Sequence, residues 1–87
     1  MKYTPPSTSD LARLKADLRM TGKQIAELFG LAGDQQWRKY TGGHEPRQMS
    51  AQMLFFAMAR LELDEQTLQA ILDRMRAAGA QIDLSAE

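Results

Sequence analysis

The stretch that decides the fold runs from residue 20 to residue 43: Met20-Thr21-Gly22-Lys23-Gln24-Ile25-Ala26-Glu27-Leu28-Phe29-Gly30-Leu31-Ala32-Gly33-Asp34-Gln35-Gln36-Trp37-Arg38-Lys39-Tyr40-Thr41-Gly42-Gly43. Thr21 followed three residues later by Gln24 is a capping box, in which each side chain satisfies a backbone amide at a helix start. Ile25, Ala26, Leu28 and Phe29 then supply an apolar face, so a helix is expected over about 22–29. Gly30 stops it, because glycine enters the left-handed region without a Cβ penalty. A further short helix is expected through Tyr40, starting at Gly33, Asp34 or Gln35. Trp37 and Tyr40 lie three apart and share a face. Their helical spacing reads as core anchoring rather than as a platform for stacking single-stranded bases.

Two short helices joined by a tight turn form the layout of a helix-turn-helix. Ala26, one turn before Gly30, is small enough to let the next helix cross closely. Leu31, Trp37 and Tyr40 would hold that next helix from one side. Gln35, Gln36, Arg38 and Lys39 are left on its other faces.

Thr21, Ile25-Ala26, Leu28-Phe29-Gly30-Leu31, Trp37, Tyr40 and Thr41-Gly42-Gly43 together resemble the helix-turn-helix of the phage lambda repressor and Cro family, the XRE-type transcriptional regulators. The resemblance covers about residues 10–63. It implies an all-α, compact five-helix fold that places its third helix in the major groove of double-stranded DNA. The chain departs from the family's pattern in two places. The stretch between Gly30 and Trp37 is one residue longer than usual, and Gly22 stands where the family often has a phosphate-contacting glutamine.

Side-chain chemistry suits the expectation. Glutamine pairs with adenine and arginine with guanine in the major groove, so Gln35, Gln36, Arg38 and Lys39 are the candidate base-reading residues. Lys23 stands near the start of the second helix, where backbone amides also favour phosphate. Gly43, His44 and Arg47 follow the reading helix, where the resemblance implies a loop along the DNA backbone. These four are the candidate phosphate contacts, which position the protein without specifying sequence.

Outward from this segment, residues 1–8 are polar and contain Pro5-Pro6, so they read as a flexible arm. Leu11, Leu14 and Leu18 mark a first helix at about 10–19, with Ser9 or Asp10 as its cap. Thr41 to Pro46 is a loop. A fourth helix, about 49–61, is apolar almost all round, and such a helix is either central to the core or covered by a partner. Asp64 can cap a fifth helix whose stripe is Leu68, Ile71, Leu72 and Met75, ended by Gly79. Gln81-Ile82-Asp83-Leu84 alternates as a short strand does. The 9–63 core and the 64–87 helix and tail are read as one domain. The stripe, or strand pairing at Ile82 and Leu84, is the expected homodimer interface.

Composition sets the limits. The chain has 87 residues, 44% hydrophobic and 25% charged, enough for one domain. The formal net charge of zero conceals a split. Residues 1–50 carry eight Lys/Arg against five Asp/Glu, a net of +3, and residues 51–87 carry three against six, a net of −3. Phosphate responds to the local field rather than to the sum.

Cysteine is absent, which excludes disulfides, thiolate metal sites and a cysteine nucleophile. His44 is the only histidine and has no second ligand nearby, so no metal or other cofactor is expected. No apolar run approaches membrane-spanning length and none reads as a signal peptide, so a cytoplasmic protein is expected. Neither a phosphate-binding glycine loop nor a serine–histidine–acid set is present, which speaks against an enzyme. The favoured function is a DNA-binding repressor acting as a dimer on a palindromic operator. The alternatives are an antitoxin that also binds a toxin protein, and a helical protein-interaction module that does not bind DNA.

Overall fold

The computed structural model describes residues 1–85 and contains five helices: α1 (Thr8–Asp17), α2 (Gly22–Leu28), α3 (Asp34–Thr41), α4 (Ala51–Glu62) and α5 (Glu65–Ala77). The all-α, five-helix expectation is met. Residues 86 and 87, the end of the expected 64–87 tail element, lie outside the described residues.

Local chemistry explains most of the helix ends. Thr21 and Gln24 form the expected capping box, with the Gln24 amide donating to Thr21 Oγ1 at 3.1 Å and the Thr21 amide to Gln24 Oε1 at 2.8 Å. At α1 the cap is Ser7, not Ser9 or Asp10. Asp10 occupies the third helical position and accepts from the Ser7 amide at 2.9 Å, completing a second capping box. That bond and the Ser7 hydroxyl hold the Asp10 carboxyl below its usual range. The cap of α4 is Ser50, so Met49 falls before the helix and is buried at the core. Asp64 caps α5 as expected, accepting from the Thr67 amide at 2.7 Å.

Three helices end in the same way. The last-turn amides of α1, α2 and α5 fold back onto earlier carbonyls, as in Met20 to Lys15, Leu31 to Ala26 and Ala80 to Met75. This is the Schellman arrangement, which needs one residue in the left-handed region. Gly30 (φ 72°) and Gly79 (φ 107°) supply it for α2 and α5, whereas α1 uses Arg19 (φ 54°). A side chain in that region is strained, so Arg19→Gly is expected to raise stability by about 0.5–1 kcal/mol. Urea unfolding followed by the fluorescence of Trp37, the single tryptophan, checks this; a lowered midpoint would contradict it.

The core gathers Leu11 from α1, Ile25, Ala26 and Leu28 from α2, Phe29 from the turn, Trp37 from α3, Met49, and Ala57 from α4. Ile25, Ala26 and Ala57 have no exposed surface. Leu14, Leu18, Met20, Leu31, Tyr40, Met53, Leu54 and Met58 pack around this cluster. Arg60 ties α4 to the end of α2, its Nη1 donating to the carbonyls of Glu27 at 2.7 Å and Leu28 at 3.1 Å. Its guanidinium also lies 5.6 Å from the Phe56 ring centroid. Two carbonyls of the last turn of α2 thus gain a charged donor from outside, that of Glu27 in addition to the Gly30 amide at 3.1 Å.

Two expectations need correction. The N-terminal arm is tethered, because the Tyr3 hydroxyl donates to the Met49 carbonyl at 2.7 Å and Pro5 and Pro6 are half-buried. The alternating tail forms no strand among the described residues. Instead Arg76 donates to the Ile82 carbonyl at 2.8 Å, and Asp83 accepts from the Ser85 amide in a turn. Among the described residues no second strand pairs with this segment, and alternation alone does not make a sheet. The chain itself does not cover α4 all round, since Phe55 is 76% exposed, and this leaves the partner-covered alternative for that helix open.

Candidate nucleic-acid interface

The turn between α2 and α3 sets the site. Gly30 reverses the chain, and the Leu31 amide closes onto the Ala26 carbonyl at 2.8 Å. Gly33, in extended backbone, precedes α3 without a side-chain cap. This settles the start of the helix at Asp34, the middle of the three candidates. An acidic residue in the first turn suits the positive end of the helix dipole. Trp37 is the one buried side chain of α3, and its ring lies 5.2 Å from that of Phe29, tilted by 40°. Tyr40, one turn later, is half-buried against the same cluster.

With Trp37 turned inward, the opposite side of α3 faces outward. Gln35, Arg38 and Lys39 are exposed, and Gln36 is half-buried. The chain then doubles back. The Gly42 amide donates to the Arg38 carbonyl at 3.1 Å and the Arg47 amide to the Lys39 carbonyl at 2.7 Å. The result is a shallow groove of about 500 Å³ lined by Gln35, Arg38, Lys39, Gly42, Gly43, Glu45 and Arg47. Three cationic side chains stand there with one carboxylate. The groove unites five of the eight residues expected to contact nucleic acid. Gln36, Lys23 and His44 do not line it, although Lys23 and His44 are exposed.

Two carboxylates were missed as site residues. Glu45 lines the groove itself. Asp34 pairs with Arg38, its Oδ2 lying 3.2 Å from Nε. An acid four residues before a base on a helix is a recognised pairing signal, so this contact was available from the sequence. The proximity of Asp34 to Gly22 was not, since it joins two helices. A methyl group added to Gly22 would fall on Oδ1 and Cγ of Asp34.

The expected dimer stripe is divided. Leu72 is only 2% exposed, so it anchors α5 within its own chain and is not available to a partner. Ile71 and Met75 are exposed, at 43% and 37%. Leu68, Ile82 and Leu84 are half-buried. Among the described residues, no helix is long and apolar enough to cross a membrane.

No family model, curated protein or solved structure matches the chain. The resemblance to lambda repressor and Cro regulators therefore rests on the residues quoted for it.

Proposed function

We propose that the chain is a sequence-specific, double-stranded DNA-binding regulator of the lambda repressor and Cro type. The observation that carries this reading is the orientation of α3. Trp37 fixes one side in the core, while Gln35, Arg38 and Lys39 stand exposed on the other beside Arg47. A helix held in this way can enter the major groove, where glutamine and arginine read base edges. Lys39, Arg47, Lys23, His44 and the Gly43 amide supply backbone contacts, and Gln36 reads from the margin of the groove.

Occupancy is the mechanism: a bound protomer pair covers a palindromic operator and excludes polymerase. Two copies would pair through Ile71, Met75 and Leu68, setting half-sites about 34 Å apart. Sedimentation at tens of micromolar should show a dimer, and a monomer at that concentration would remove the pairing.

Selection of bound duplexes from a random library tests the central claim. A palindromic consensus is expected, with an affinity that falls steeply as salt rises. Absence of enrichment at low salt would overturn the reading and favour the interaction module. The exposed Phe55 favours a second reading in which the same DNA-binding unit also holds a protein partner, as an antitoxin does. Co-purification of a toxin on α4 and α5 would decide for it.

A further inference from the structure

We infer that Asp34 is a positioning residue for Arg38, and that Gly22 is glycine so that the Asp34 carboxylate can take that position. The inference rests on the DNA-binding reading and adds to it a determinant of base specificity.

Three observations converge. Oδ2 of Asp34 lies 3.2 Å from Nε of Arg38. Arg38 lines the groove while its side chain keeps 66% of its surface exposed. Asp34 occupies the space that a Cβ on Gly22 would need, with the Asp34 Cβ itself only 3.1 Å from that point. An ordinary solvated pair along one helix would need nothing from Gly22, which belongs to another helix.

The guanidinium is a planar fork with five N–H donors. A carboxylate held beside Nε leaves the two terminal nitrogens as a parallel pair of donors. Guanine offers N7 and O6 as a matching pair of acceptors in the major groove. Arginine has large rotamer freedom to lose on binding. Asp34 restricts that freedom beforehand, so less is lost when the base is met. The same carboxylate repels phosphate, so it weakens binding to arbitrary sequence while sharpening the choice of base.

This opposition gives the test. The wild type, Asp34→Ala, Gly22→Ala, Arg38→Ala and the Asp34→Ala/Arg38→Ala pair are titrated with the duplex selected by the wild type. Its single-base variants and a random duplex are titrated alongside. Arg38→Ala should erase a guanine preference at one position of each half-site. Asp34→Ala should lower that same preference by about fivefold, with affinity for the random duplex unchanged or raised. Gly22→Ala should act at the same position, and the double variant should lose nothing beyond Arg38→Ala. A merely structural role would lower both affinities together.

The inference is overturned if Asp34→Ala leaves the guanine preference intact, alters a different position, or weakens the random duplex as much as the selected one. Should Asp34→Ala fail to fold, Asp34→Leu keeps the bulk and removes the acceptor, and with Gly22→Ala it carries the same comparison. If the wild type itself enriches no sequence, the DNA-binding reading falls and this inference falls with it. A consensus that the variants leave unmoved sinks the inference alone.

Discussion

Arg38→Ala should remove a large part of the gap in affinity between the selected operator and a random duplex, while the fold unfolds at nearly the wild-type denaturant midpoint. A well-formed arginine–guanine pair discriminates by about 1–3 kcal/mol. A dimer forms it twice, so about 2–6 kcal/mol is at stake, against a specific advantage of roughly 4–10 kcal/mol over non-specific binding. The fold has little to lose. Arg38 is mostly exposed, and its one partner, Asp34, is itself 46% exposed. Such a pair along a helix contributes about 0.3–0.5 kcal/mol. Arg47→Ala is the contrasting control. An exposed loop cation that meets phosphate should weaken all duplexes alike and reduce the salt slope by about one. Competition anisotropy against both duplexes, with urea melts of each variant, separates the two outcomes. Normal operator binding by Arg38→Ala would mean that α3 is not the reading helix.

Legibility in the sequence followed how local the cause was. Thr21 with Gln24, Asp64 with Thr67, and Gly30 and Gly79 beyond their helices are contacts within a few residues, and each was read correctly. Ser7 was missed although equally local, since Ser7 and Asp10 have the spacing of a capping box before an apolar run. On α5 the apolar stripe was visible but its division was not. A stripe is wider than the strip one neighbouring element can cover, so Leu72 is buried and Ile71 and Met75 are left at the margins. The same reason applies to α4, whose apolar circumference leaves Phe55 outside. Contacts between distant residues had no sequence signal at all. Tyr3 on the Met49 carbonyl, Arg60 on the end of α2 and Asp34 beside Gly22 depend on how helices come together. At the candidate interface, periodicity sufficed to separate the inward Trp37 from the outward Gln35, Arg38 and Lys39. The groove itself required the return of the chain at Arg47.

Trp37→Ala, one position away from Arg38, should have the opposite profile. Trp37 is 2% exposed and packs on Phe29. Truncating a buried tryptophan costs about 3–5 kcal/mol. A domain of this length has roughly 5–10 kcal/mol in total, since small cores bury less surface. The variant should therefore unfold at a much lower urea concentration and show reduced helicity by circular dichroism near physiological temperature. A midpoint within about 1 kcal/mol of wild type would show that Trp37 is not the anchor of α3. Operator DNA then distinguishes loss of fold from loss of reading. A ligand that binds only the native state stabilises it by about 2.7 kcal/mol at a hundredfold excess over Kd. Trp37→Ala retains Gln35, Arg38 and Lys39, so selected duplex should restore part of its helicity, and random duplex should restore less. Arg38→Ala, already folded, should gain no helicity from either. A side chain that builds the helix and a side chain that uses it are neighbours in sequence, and added DNA moves only the first back toward the native state.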